Sequence, residues 1–345
     1  LSLSKPRILL IKLSSLGDVI HALPTLEAVR SLYPEGHITW LVEDPNAPVL
    51  ARHPALDEVW PVPRPRLESG HFLENMSELL RAARRLREEP FDLVIDLQGL
   101  LKSAFWVALS RGKRKVGYDR TREFSYLALT ERLPPFDPEA HAVWRYLNVA
   151  RHLGAQDIPP LFRLGLTLPE DLSRLLPPEA GQPLAILHPG ARWPTKLWPT
   201  AHWARLAEWL ARDKGFKVVI TGSPGDRKMV GEIVAQAEVP LINLAGRTSL
   251  AELAALLQKA RLAVTTDTGP MHLAAALGTP MVALFGPTAP WRTGPFGRGH
   301  QVVRLTLPCS PCFRRQCPEP QCLTELPVAM AQEAVEKILV RRKNP

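Results

Sequence analysis

Short, uninterrupted apolar runs, each leading into a stretch of helical period, recur along the whole of this chain. Residues 7–12 (RILLIK), 38–42 (ITWLV), 93–97 (LVIDL), 185–188, 217–221, 262–266 and 281–285 are runs of this kind. A run that is apolar at successive rather than alternate positions suits a strand covered on both faces. Between the runs, Trp203, Leu206, Ala207 and Leu210 share one helical face, as do Met229, Val230, Ile233 and Val234. Ser249 with Glu252 ahead of an Ala/Leu run has the spacing of a capping box. Strands alternating with helices predict an α/β chain built on parallel sheets with helices on both sides.

The stretch 157–183 (DIPPLFRLGLTLPEDLSRLLPPEAGQP) breaks this rhythm with repeated prolines and no core strand. It reads as the junction of two domains: 1–165, a linker at 166–183, and 184–325, followed by a C-terminal helix at 326–345 able to pack back on the first domain. Each half opens alike, with a strand, a polar glycine-containing loop and a helix; the loops are 13–18 (LSSLGD) and 189–196 (PGARWPTK). Two doubly wound domains facing a central cleft are expected, with ligands at the carboxyl ends of the strands. The last helix closes on Arg341, Arg342 and Lys343, which suit a helix C-terminus.

Charge narrows the partner. Forty-three Lys and Arg against 34 Asp and Glu leave +9, which favours nucleic acid, a phosphorylated metabolite or an acidic membrane surface without choosing among them. No run approaches the ~18 apolar residues of a spanning helix. The N-terminal residues lack the order of a secretory signal, so a soluble, cytoplasmic protein is expected.

Three clusters carry possible chemistry. In 12–21 (KLSSLGDVIH), Asp18 stands where a helix begins after the turn at Gly17. It either caps that helix or is a base at the mouth of the cleft with Ser14 and Ser15 beside it. In 265–272 (TTDTGPMH), Pro270 suits a first helical turn. Thr268 and Gly269 then offer backbone N–H groups to phosphate. Asp267 and Thr268 serve equally as caps, and His272 as a buried structural histidine. Lys196, in PTKLWP, is an ordinary solvated lysine unless its place on the same sheet edge as Thr268 and Gly269 makes it a diphosphate ligand. Neither GxGxxG nor GxxxxGK[ST] occurs, so the dinucleotide and P-loop fingerprints are missing.

The segments IKLSSLGDVIHALP, DLVIDLQGLLKSA, HPGARWPTKLWP and TTDTGPMHLAAALGTP, with FGPT at 285–288, resemble the ADP-heptose lipopolysaccharide heptosyltransferases, glycosyltransferase family 9. The resemblance runs in order from Arg7 to about Leu339, and the first two segments look most like the type I enzymes. It implies a GT-B fold of two Rossmann-like domains. It also implies inverting transfer of L-glycero-D-manno-heptose from ADP-heptose to the 3-deoxy-manno-octulosonic acid of the lipid A inner core. Asp18 then matches the catalytic base, Ser14 and Ser15 its neighbours on the acceptor side, and Lys196 the lysine on the diphosphate. Thr268 and Gly269 match the phosphate-contacting turn, Asp267 an acidic residue near the donor sugar, and His272 the histidine beyond it. Asp226 falls where the family has a carboxylate on the ribose, and Thr248 where a backbone group meets adenine. Arg122 and Arg145 match basic positions that grip the anionic acceptor. The resemblance further implies catalysis without a cofactor and a place on the cytoplasmic face of the inner membrane.

Two departures stand out. Ala191 and Arg192 replace a Thr-Thr pair of the type I enzymes, exchanging hydroxyl contacts for the charge of Arg192. The segment CSPCFRRQCPEPQC resembles one in other branches, type II included, so type I and type II both stay open. Its Cys309, Cys312, Cys317 and Cys322 suit a structural zinc or an iron–sulfur cluster, with reduced thiols or local disulfides as alternatives.

Phe105, Trp106, Val107 and Leu109 ahead of RGKRK (111–115) suggest contact with an anionic leaflet. A core helix followed by a solvated basic turn is the plainer alternative. A basic nucleic-acid-binding protein with a four-cysteine metal site is the competing class. No RNP-type pattern or recognised DNA-binding motif supports it, so no nucleic-acid partner is expected. Another donor or acceptor within the same family is the nearer alternative, since fold does not fix substrate.

Overall fold

The structure is a computed structural model that describes residues 5–64, 72–156, 159–177 and 181–341. The chain divides into two compact units, Leu1–Leu166 and Thr167–Pro345.

Among its described residues the first unit holds six strands: β1 (Arg7–Ile11), β2 (His37–Glu43), β3 (Glu58–Val62), β4 (Pro90–Asp96), β5 (Arg111–Tyr118) and β6 (Glu131–Leu133). All pair in parallel in the order β3-β2-β1-β4-β5-β6, with Leu10 of β1 opposite Trp40 and Ile95. Its helices are α1 (Leu16–Leu32), α2 (Phe72–Glu88), α3 (Leu101–Leu109) and α4 (Ala142–His152). Ile8, Leu9, Leu10 and Ile11 are all inaccessible, as an unbroken apolar strand requires. Leu9 and Ile11 share a core with Leu86 of α2 and with Trp106 and Val107 of α3, while α1 and α4 pack together.

The second unit repeats the design. Its strands are β7 (Leu184–His188), β8 (Lys217–Ile220), β9 (Ile242–Asn243), β10 (Leu262–Thr266), β11 (Met281–Leu284) and β12 (Gln301–Val303). They pair in the order β12-β11-β10-β7-β8-β9. Its helices are α5 (Thr200–Arg212), α6 (Arg227–Gln236), α7 (Leu250–Lys259), α8 (Gly269–Ala276), α9 (Pro290–Thr293), α10 (Gln321–Thr324) and α11 (Val328–Arg341). Trp203, Leu206, Ala207 and Leu210 form the buried face of α5, and Ser249 and Glu252 close the predicted box at α7. Counted from its own first strand, each sheet has the order 3-2-1-4-5-6. The chain therefore reverses direction across the sheet between β1 and β4, and again between β7 and β10, and ligands of such sheets collect at that reversal.

One expectation is corrected. The basic run 111–115 is no solvated turn but the first half of β5, between β4 and β6. Two of its cations are paired along the sheet: Lys113 with Asp92 at 2.8 Å and Arg114 with Glu131 at 2.8 Å. Gly112 lies so close to β4 that a Cβ there would stand 2.4 Å from Val94 Cγ2. The closing helix packs inside the second unit. Ala331, Ala334, Val335 and Ile338 of α11 lie against α5, β11 and β12, and Trp198 Nε1 donates to Leu326 O at 2.9 Å. Arg342 and Lys343 lie outside the described residues, as do residues 178–180 of the linker region. Among the described residues no helix is long and apolar enough to cross a membrane.

Each unit buries a neutral histidine. His53 accepts from Ala55 N at 3.2 Å, and His188 lies 3.0 Å from Thr221 Oγ1. Burial pushes both down to about 4. The unfolded chain binds these protons near pH 6.5 while the folded chain refuses them until about pH 4. The associated stability is thus present above pH 6.5 and lost as pH falls through that window, up to ~3 kcal/mol per histidine. Denaturant midpoints should fall between pH 7.5 and 4.5, and by less in His53→Gln and His188→Gln. An unchanged midpoint in the parent chain would contradict this account.

Candidate active site

In the first unit, the chain leaves β1 through buried Lys12 and Leu13 and enters α1 at its N-cap, Ser15. Asp18 reaches back to that cap: Ser15 N and Ser15 Oγ donate to Asp18 Oδ2 at 3.1 and 3.0 Å. Capping therefore engages one oxygen only. The other, Oδ1, accepts from Tyr146 Oη at 3.1 Å and lies 4.0 Å from Lys12 Nζ. Desolvation opposes the charge of Asp18, but Lys12, Ser15 and Tyr146 outweigh it and hold the carboxyl below the ordinary carboxylate range. With 36% of its side chain exposed, Asp18 is an ionised carboxylate that an incoming hydroxyl can reach.

The surroundings are anchored across the β1–β4 reversal. Gln98 Oε1 accepts from Leu13 N and Ser14 N at 3.1 and 3.2 Å. Asp96, at the end of β4, accepts from Gln98 N, Gly99 N and Ser103 Oγ, and burial raises its pKa. Lys102 of α3 donates to Ser14 Oγ and, at 2.7 Å, to Glu43 Oε1. Arg145 precedes Tyr146 on α4; its guanidinium stacks 4.8 Å from the Phe136 ring centroid and its buried Nε has no hydrogen-bond partner. Ser14, Ser15, Asp18 and Arg145 thus belong to one neighbourhood. Arg122 is exposed on the turn Arg122–Ala128 and is not part of that network. Lys12, Tyr146, Asp96, Lys102 and Glu43 escaped sequence reasoning. Lys12 left a signal, as the one cation ending an otherwise buried strand run; Tyr146 left none.

In the second unit, Lys196, on the short turn Pro194–Lys196 after β7, donates to Asp267 Oδ2 at 2.6 Å and to Asp267 O at 3.3 Å. Thr288, beyond β11, donates to the same carboxylate oxygen at 2.6 Å. Both partners are well covered, Lys196 at 15% and Asp267 at 8% side-chain exposure. The Trp193 ring lies 4.5 Å from Lys196 Nζ. Thr268 is the N-cap of α8 and Gly269 its first residue, with His272 buried one turn in. Lys196, paired with Asp267, thus stands beside the amino end of α8 at the β7–β10 reversal, where a cation and free helix amides can favour an anion.

Asp226 accepts at Oδ2 from Ser223 N and Ser223 Oγ, 2.7 and 2.6 Å, closing the turn before α6. It lies over Gly190, where a Cβ would come within 2.5 Å of that oxygen. Thr248 is half-buried between β9 and α7, and Arg192 is exposed.

The cysteine segment packs beneath this edge. Ser310 Oγ donates to Gly286 O, Phe313 N to Pro287 O, and Thr195 Oγ1 to Arg314 O. Cys309, Cys312, Cys317 and Cys322 are free thiols around a cavity of about 40 Å³. Burial and the other three thiols push Cys322 up. Four sulfurs are an apt donor set for zinc. Yet among the described residues no group of three or more His, Cys, Asp or Glu is gathered closely enough to hold a metal.

The chain matches the model of glycosyltransferase family 9 (heptosyltransferase) over residues 79–323. It is 40% identical over 324 residues to lipopolysaccharide heptosyltransferase 1 of Pseudomonas aeruginosa, covering 90% of this chain and 87% of that one. It is 32% identical over 314 residues to lipopolysaccharide heptosyltransferase 2 of Salmonella typhimurium, covering 87% and 88%. Among solved structures, a family 9 glycosyl transferase from Veillonella parvula superposes with a TM-score of 0.83 at 26% identity, covering 99% of both chains. The E. coli heptosyltransferase WaaC with ADP superposes with a TM-score of 0.75 at 26% identity, covering 96% of this chain and 99% of that one. The α/β architecture expected from the sequence, of the GT-B class, is the one these neighbours share.

Proposed function

The chain belongs to glycosyltransferase family 9, the heptosyltransferases of lipopolysaccharide core biosynthesis, and on that footing we propose that it is the type I enzyme. In this reading it moves L-glycero-D-manno-heptose from ADP-heptose to the 3-deoxy-manno-octulosonic acid of the lipid A inner core. The observation that carries it is Asp18, ionised, half-open and hydrogen-bonded on both oxygens at the β1–β4 reversal. The greater identity to a heptosyltransferase 1 than to a heptosyltransferase 2 supports the type.

Asp18 takes the proton of the acceptor hydroxyl as that oxygen bonds to C1 of the heptose. The C1–O bond to ADP breaks with its electron pair, and attack from the far side inverts C1. Charge grows on the departing diphosphate, where Lys196 and the amides at Thr268 and Gly269 stand. Asp267 and Thr288 hold Lys196 in place, Asp226 and the Thr248 backbone flank the nucleoside, and Arg192 adds charge near the phosphates. Ser14, Ser15, Arg145 and Arg122 meet the anionic acceptor.

Purified protein, ADP-heptose and deacylated inner core test this directly. Transfer to core lacking heptose is expected. Transfer only to core already carrying one heptose would move the chain to type II, and no transfer with either would reject the activity.

In this reading the acceptor is a lipid, and the exposed apolar residues of the first unit support a membrane contact at a different face from 105–109 as a whole. Trp106 and Val107 are core residues, whereas Leu101 and Phe105 of α3 are exposed. So are Phe124 and Leu127 of the adjoining turn, which also carries exposed Arg122. We assign this face to an anionic bilayer, each cation near such a surface contributing about 1 kcal/mol. Vesicle flotation should rise with phosphatidylglycerol content and drop several-fold in Phe105→Ser/Phe124→Ser. Flotation indifferent to lipid charge would leave the excess basic residues without this role.

A further inference from the structure

Lys12 has no part in the chemistry just described, yet it is the most buried cation of the first unit's sheet edge, with 3% of its side chain exposed. A lysine there is costly unless its charge is answered. Its Nζ donates to Tyr146 Oη at 2.8 Å and weakly to Leu97 O at 3.4 Å. A charged ammonium is donor only, so Tyr146 Oη accepts from Lys12, and its own proton is left for Asp18 Oδ1, 3.1 Å away. The chain Lys12–Tyr146–Asp18 therefore has one possible direction, and it ends on the oxygen that the helix cap leaves open.

We infer that Lys12 and Tyr146 are positioning residues that act through Asp18, keeping its carboxylate ionised and turning its remaining lone pair toward the acceptor hydroxyl. The inference rests on Asp18 being the base. With Ser15 on Oδ2 and Tyr146 on Oδ1, rotation of the carboxylate would break hydrogen bonds at both oxygens. Lys12, 4.0 Å from Oδ1, disfavours the protonated form, so after each turnover the captured proton leaves to solvent from the exposed part of the carboxylate. The other charges facing Lys12 are Asp96 from β4, Arg145 from α4 and Lys102 from α3. Asp96 is held by three donors of its own and stays in place whichever form Asp18 takes.

The test is the pH profile of kcat/KM with wild type, Lys12→Met, Tyr146→Phe and the double variant, together with Asp18→Ala. Lys12→Met keeps the length and removes the charge. Its acidic limb should move up by about one to two pH units, the effect of losing an opposite charge at this distance. kcat at neutral pH should fall roughly 10- to 100-fold, while KM for ADP-heptose stays within about twofold because the donor residues lie in the other unit. Tyr146→Phe, which keeps the ring and its packing, should move the limb the same way by less. The double variant should fall little below Lys12→Met, as expected for groups acting as a unit. ADP binding and the thermal midpoint report folding, and if Lys12→Met unfolds, Tyr146→Phe decides alone. An unmoved acidic limb in a folded variant, or a rise in donor KM with kcat unchanged, overturns the inference while Asp18→Ala is inactive. Turnover by Asp18→Ala overturns the base assignment and this inference with it.

Discussion

Asp18→Asn is expected to lower kcat by about 10³-fold, within the range for a lost general base, while ADP binds the second unit with wild-type affinity. The asparagine variant is the informative one because Asp18 has two roles. Its Oδ2 accepts from the N-cap residue, and its Oδ1 faces Tyr146 and Lys12. Asn retains an acceptor for Ser15 and so preserves most of the cap, but it cannot take a proton. Asp18→Ala loses cap and base together and takes from buried Lys12 its nearest carboxylate, so it should cost more stability than the about 1 kcal/mol of a lost cap. A residue that only capped α1 would leave Asp18→Asn active and Asp18→Ala mildly impaired, and that pattern in a transfer assay would remove Asp18 from the chemistry.

Lys196→Ala should reduce kcat/KM by roughly 10²- to 10³-fold, the scale for removing one electrostatic stabiliser of a developing charge. The variant carries a second effect that must be separated. Lys196 neutralises Asp267, which is nearly inaccessible and otherwise has Thr288 as its hydrogen-bonding side chain. Leaving that carboxylate unpaired should destabilise the second unit by about 3–5 kcal/mol. Lys196→Ala/Asp267→Asn restores a neutral site, so its thermal midpoint should recover while its activity stays low. Activity that recovers along with stability would show that Lys196 matters to folding and not to the leaving group.

Legibility in the sequence followed burial and local spacing. β1, β7, β10 and β11 are covered on both faces, and their apolar runs announce them without help from any other segment. β3, β6, β9 and β12 are sheet edges, short or bearing Pro61, and leave little periodic trace. β5 is the instructive failure. Asp92 and Glu131 on neighbouring segments answer two of the cations in its first half, so composition pointed to a turn where pairing makes a strand. The cysteines were legible as a cluster, but spacing says nothing of how closely sulfurs converge.

The order of strands and helices, the two-unit plan, the cap spacing from Ser15 to Asp18 and the helix start at Thr268 were all decided by the chain itself, because each depends on residues within a few positions of one another. Tertiary structure alone decided what those residues can do. Tyr146 meets Asp18 across 128 positions, and Asp267 meets Lys196 across 71. Those partnerships exist because parallel crossovers bring loops and helices distant in sequence together beside the strand ends of one sheet. Low-dielectric surroundings there then make the charge and aim of a carboxylate depend on neighbours that no local pattern names.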